Sequence, residues 1–122
     1  MTKTMIVMGT RPEVIKLYPI IKLFPDAYVV TTGQHDVLMD QMIVDFGLFI
    51  NKRLKVMKKG QSLSELTVKL HQKLSELYDK EKPELVIVQG DTTSAMVASL
   101  EAFYHKIPVA HIEAGLRTDD IY

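Results

Sequence analysis

The chain has 122 residues, 47% of them hydrophobic, and its 15 basic and 15 acidic side chains balance to a formal charge of zero. That is the length of one domain, and the balance excludes the basic excess on which non-specific nucleic-acid binding depends. Without cysteine there is no disulfide framework, thiolate nucleophile or cysteine-bound zinc, and no signal-peptide core or bilayer-length apolar run occurs, so a soluble cytoplasmic protein without membrane contact is expected.

Thr4–Met8 is a short apolar run closed by Gly9 and reads as a strand buried on both faces. Thr10 and Glu13 have the spacing of a capping box, and Pro12 is tolerated in a first helical turn. Val14, Leu17, Tyr18, Ile21 and Phe24 repeat at helical spacing, with Pro19 expected to kink the helix. Tyr28–Thr32 reads as a second strand and Val37–Phe46 as a helix stopped by Gly47. Leu54–Met57 suggests a short third strand inside the lysine-rich stretch 52–59, which otherwise reads as a solvated face. Ser62 and Glu65 open another helix, striped by Leu63, Leu66, Leu70, Leu74 and Leu77. Leu85–Gln89 is the clearest buried strand. The turn Gly90-Asp91-Thr92 leads into a helix with Met96, Leu100 and Phe103 on one face. Pro108–Ile112 is the fifth strand, followed by Glu113-Ala114-Gly115.

Alternation of buried strands and helices predicts an α/β fold, a doubly wound Rossmann-like parallel sheet in the order 3-2-1-4-5. Ligands of such sheets sit beyond the carboxyl ends of the strands, near the switch in strand order. Arg11, Gln34, His35, Asp91 and Glu113 all follow strands, so Arg11 and Asp91 are expected to face one crevice.

A helix amino terminus beside Arg11 and Lys16 suits a phosphate. Neutralisation of Glu13 by the same two cations explains them equally well. Asp91 is also a good helix cap, and Glu113 has a simple ion-pair partner in Arg117. Two carboxylates at neighbouring strand ends favour acid–base work. His71 and His105 read as surface residues, and His111 as a hydrogen-bonded core histidine. The methionines at helical spacing read as core filler. G-x-G-x-x-G is absent, so a nicotinamide cofactor is unsupported, and no His/Asp/Glu spacing suggests a metal site.

Four separated stretches, "GTRPEVIKLYPII", "TGQH", "QGDTTS" and "HIEAGLRT", resemble the non-hydrolysing UDP-N-acetylglucosamine 2-epimerases in order and interval. The resemblance implies one half of a two-domain GT-B-type fold. Residues 1–122 would be the amino-terminal Rossmann-like domain, without the carboxy-terminal UDP-binding domain. It implies interconversion of UDP-GlcNAc and UDP-ManNAc by elimination of UDP to 2-acetamidoglucal and its re-addition, with no metal or other cofactor. Asp91 and Glu113 would be catalytic carboxylates. Arg11, Lys16, Gln34, His35, Thr92 and Arg117 would contact the UDP-sugar. A homodimer working on glycan or surface-polysaccharide precursors is also implied. The chain alone is then expected neither to epimerise nor to bind UDP-sugar tightly. Val37 and Gly60 align where regulated members carry polar or basic side chains, which points to an unregulated enzyme. The alternatives are the hydrolysing relative, which gives ManNAc and UDP, a non-catalytic sugar-nucleotide-binding module, and half of a glycosyltransferase of the same fold.

Overall fold

A computed structural model describes residues 3–33, 36–113, 115 and 118–121. Its elements are β1 (Thr4–Met8), α1 (Arg11–Leu23), β2 (Tyr28–Thr31), α2 (Val37–Asp45), β3 (Lys52–Arg53), α3 (Leu63–Glu81), β4 (Leu85–Gln89), α4 (Thr93–Tyr104) and β5 (Val109–Ile112). All four strand pairings are parallel, and the sheet order is β3-β2-β1-β4-β5, as the sequence predicts.

The central strands β1 and β4 are apolar from Met5 to Met8 and from Leu85 to Val88 because each face of the sheet carries its own core. Along β1 and β4, Met5, Val7, Val86 and Val88 point to the side covered by α3 and α4. Ile6, Met8 and Ile87 point to the side covered by α1 and α2. Burial on both faces needs this unbroken run rather than alternation. β1 lies between β2 and β4, with Ile6 level with Val29 and Ile87. The reversal in strand order therefore falls between β1 and β4, where α1 and α4 start on opposite faces.

Three expectations are corrected. The third strand is Lys52–Arg53 rather than Leu54–Met57. It sits at the sheet edge, where charged side chains stay in water and discourage further pairing. The chain beyond it still bonds to β2, through Leu54 N–H to the Thr31 carbonyl (2.8 Å) and Val56 N–H to Thr32 (3.0 Å), and drops Val56 into the core. Met96, Leu100 and Phe103 share one face of α4, but that face is exposed, so Met96 is not core filler. The face that packs is Ser94, Ala95, Val97, Ala98, Glu101 and Ala102. Small side chains let α4 approach the sheet and α3 closely, so residue size rather than hydrophobicity selects that face. The third correction concerns the histidines. His71 and His105 are half-buried in the seam between α3 and α4, with His71 Nδ1 2.8 Å from Oε1 of the buried Glu101. His105 Nε2 lies 3.1 Å from Asp79. In the same seam the Tyr78 hydroxyl donates to the Ala98 carbonyl at 2.9 Å, and burial pushes that phenol far above its ordinary pKa.

α1 continues past Pro19 to Leu23, with the proline on its exposed side. Among the described residues β5 pairs only with β4, and it alternates between exposed and half-buried residues. His111, read from sequence as a core residue, is accordingly exposed, and its Nε2 lies 2.6 Å from the Gly90 carbonyl.

Gly9 closes β1 where three elements converge. A β-carbon there would lie 2.6 Å from Ser94 Oγ and 3.0 Å from Thr32 Oγ1, two hydroxyls already hydrogen-bonded to each other at 2.7 Å in a buried setting. Gly9→Ala must displace that pair. It is expected to lower stability by about 1–3 kcal/mol, the usual cost of overpacking, read as a fall in the urea midpoint at unchanged m-value. An unchanged midpoint would show that the three elements separate without cost.

Candidate active site

At the carboxyl ends of β1, β4 and β5 lies an open cavity of about 900 Å³. Its polar wall is formed by Thr10, Glu13 and Lys16 from α1 and its cap, by Gln89 at the end of β4 with Asp91 and Thr92 after it, and by His111 of β5 with Glu113 after it. This is the switch point at which an open parallel sheet presents its ligand site.

The capping box at Thr10 and Glu13 is present, and its carboxylate does more than cap. Glu13 is only 1% exposed. One oxygen, Oε2, accepts from Gly9 N–H (3.0 Å), Thr10 N–H (2.6 Å) and the Thr10 hydroxyl (2.8 Å). The other, Oε1, accepts from the Thr92 hydroxyl at 3.0 Å. Burying a carboxylate is costly unless donors replace water. Here two amides at the positive end of α1 and two hydroxyls supply them. Thr92 Oγ1 also accepts from Ala95 N–H at 3.2 Å and so caps α4. Glu13 thus ties the β1–α1 turn to the β4–α4 turn across the switch.

Because Thr92 holds the cap position, Asp91 does not. Asp91 is exposed at the cavity wall, next to Gly90 with φ +76°, and has no hydrogen-bond or ion-pair partner among the described residues. Glu113 has partners on both oxygens. Lys16 Nζ forms an ion pair with Oε1, and Gln89 Nε2 donates to Oε2 at 2.7 Å. Lys16 therefore pairs with Glu113, not with Glu13. Arg11 is exposed at the first position of α1 and falls outside the cavity lining. The expectation that Arg11 and Asp91 face one crevice is replaced by Lys16 with Asp91 and Glu113. Gln34, His35 and Arg117 lie outside the described residues. Sequence reasoning passed over Gln89, although a polar residue closing the run Leu85–Val88 was a readable signal. It also read Glu13 as a cap or as the acid neutralised by Arg11 and Lys16, not as a bridge to Thr92.

No group of three His, Asp or Glu among the described residues is arranged to hold a metal ion. No helix among them is long and apolar enough to cross a membrane.

Against families of known proteins, residues 24–122 match the model of UDP-N-acetylglucosamine 2-epimerase. The chain belongs to this family. It is 45% identical over 125 aligned residues to the UDP-N-acetylglucosamine 2-epimerase of Bacillus subtilis, covering 98% of this chain and 33% of that protein. The structure of the Neisseria meningitidis UDP-GlcNAc 2-epimerase bound to UDP-GlcNAc superposes with a TM-score of 0.92 at 43% identity, over 98% of this chain and 34% of that one. The Methanocaldococcus jannaschii UDP-GlcNAc 2-epimerase, in complex with UDP-GlcNAc and UDP, gives 0.90 at 36% identity over 97% of this chain and 34% of that one. The chain spans about a third of the length of these relatives. The five-stranded parallel sheet is thus the Rossmann-like α/β fold of this epimerase family.

The bond between Glu13 and Thr92 is testable by a double-mutant cycle. Glu13→Gln places an amide among donors, and Thr92→Val removes both the cap and the bridging hydroxyl. Their effects on urea unfolding are expected to be non-additive by about 0.5–3 kcal/mol, as for residues sharing one buried bond, whereas Thr92→Ser should retain most of the stability. Strict additivity would mean that the two turns are independent.

Proposed function

We propose that this chain is the amino-terminal, Rossmann-like domain of a two-domain GT-B-type UDP-GlcNAc 2-epimerase and supplies the acid–base wall of its site. The observation that carries the reading is the meeting of Asp91, Glu113 and Lys16 on one cavity at the switch point. Epimerisation interconverts UDP-GlcNAc and UDP-ManNAc. The C2 proton of the sugar is not next to a carbonyl, so it leaves readily only as the anomeric C–O bond breaks and positive charge develops in the ring. Loss of that proton and of UDP gives 2-acetamidoglucal. Return of a proton to the opposite face of C2 and of UDP to C1 completes the inversion, with no net oxidation.

Each step needs a group that takes or gives a proton and a cation near the departing diphosphate. Asp91, without a partner among the described residues, is the group best placed to exchange a proton with the sugar. Glu113 is the second carboxylate, and Lys16 beside it stabilises developing negative charge. Arg11, at the amino terminus of α1, is assigned to the outer part of a bound diphosphate. Thr92 acts on substrate through the turn it anchors. Gln34, His35 and Arg117 are assigned to the UDP-sugar on the family motif. The same reading makes the protein a cytoplasmic homodimer acting on glycan or surface-polysaccharide precursors, with no metal or nicotinamide.

The test joins this chain to the remaining two thirds of the B. subtilis relative. NMR of the products is expected to show UDP-ManNAc formed from UDP-GlcNAc. Release of free ManNAc and UDP would assign the hydrolysing activity instead, and binding without turnover would assign a non-catalytic module. In an active chimera, Asp91→Asn is expected to lower kcat by about 10²–10⁴, the usual worth of a general acid or base. Near-normal turnover would remove Asp91 from the chemistry.

A further inference from the structure

Glu113 carries a backbone conformation that calls for an explanation. Its φ is +61°, in the left-handed region that side chains other than glycine rarely adopt. Lys55, Lys82 and Lys106 share it, but Glu113 alone of the four lines the cavity, and such a conformation persists where its surroundings over-determine it. Two side chains hold it. The Lys16 ion pair is half in water, with side-chain exposures of 47% and 43%, and an exposed pair on a flexible lysine stem orders little. Gln89 is the opposite case. It is 5% exposed, it closes β4 in register with Ile112, and its amide donates to Oε2 at 2.7 Å. A carboxylate only accepts, so the amide nitrogen must face it.

The strand beneath both residues is equally fixed. Gly90 N–H donates to the Ile112 carbonyl at 3.0 Å, directly before Glu113. The backbone thus delivers Glu113 beside Gln89, and the amide determines where the carboxylate then sits. We infer that Gln89 is a positioning residue, which holds the strained Glu113 with its carboxylate turned into the cavity. This rests on the epimerase reading for its consequence in turnover but not for the geometry itself.

The two parts separate in experiment. In the isotopically labelled chain, a positive φ at Glu113 gives a strong intraresidue HN–Hα NOE. Gln89→Met keeps the shape and removes the donor, and Gln89→Glu keeps the length and replaces the donor with a carboxylate. Both are expected to weaken that NOE and to move the Glu113 amide resonance; the urea midpoint of Gln89→Met stays near that of the parent, whereas Gln89→Glu, which buries a second carboxylate beside Glu113, lowers it. An unchanged NOE and resonance in both variants would overturn the assignment. In the chimera with the B. subtilis remainder, Gln89→Met is expected to lower kcat about tenfold, or about 1.4 kcal/mol of barrier, with KM within twofold. It should add nothing in a Glu113→Gln background. Full kcat in Gln89→Met would refute the positioning role while leaving the epimerase reading intact. A parent chimera without epimerase activity would defeat that reading, and the NOE would still decide whether Gln89 holds Glu113.

Discussion

A single buried carboxylate underlies the architecture of the site. Glu13 lies where a charge is expensive to place, and it is held there by amides at the start of α1 and by the Thr92 hydroxyl at the start of α4. Each donor comes from a turn that follows a central strand. The strands fix where those turns begin, but only a bond across the switch fixes their mutual distance. Polar groups that have surrendered water must keep their protein partners, so separating the two turns would leave buried groups unpaired. The position of Asp91 follows from this, because Thr92 beside it has no freedom left.

The carboxylates that face the cavity are held quite differently. Glu113 has a partner on each oxygen, the half-exposed Lys16 of α1 on one and the buried Gln89 of β4 on the other. Asp91 stands on a glycine-hinged turn without a partner among the described residues. One acid is thus preorganised and the other is available to a ligand. Two like groups in unlike environments can take different parts in one reaction. The lysine belongs to the same arrangement, since it compensates Glu113 while remaining exposed enough to meet an anion.

Much of this was legible in the residues. Continuous apolar runs at Thr4–Met8 and Leu85–Gln89 identify strands covered on both faces, and that property alone nearly dictates a parallel sheet with helices on either side. The capping pattern at Thr10 and Glu13 places the start of α1 correctly. Size-driven packing was not legible. Periodicity identifies a stripe of large apolar residues on α4, yet the helix buries its alanines and serine because its neighbours leave little room. The edge strand was missed for a related reason. Lys52 and Arg53 pair through their backbones while their side chains remain in solvent, so hydropathy carries no trace of the pairing.

By itself, the sequence determined the class of fold, the strand order and the end of the sheet at which polar cavity-lining side chains gather, because apolar period and turn residues act locally and are written in consecutive positions. Tertiary structure alone decided the partners: Lys16 with Glu113 rather than Glu13, Thr92 rather than Asp91 as the cap, Gln89 beneath Glu113, and Arg11 outside the cavity. Such choices depend on ångström-scale distances between residues up to 97 positions apart, and those distances exist only once the strands have paired.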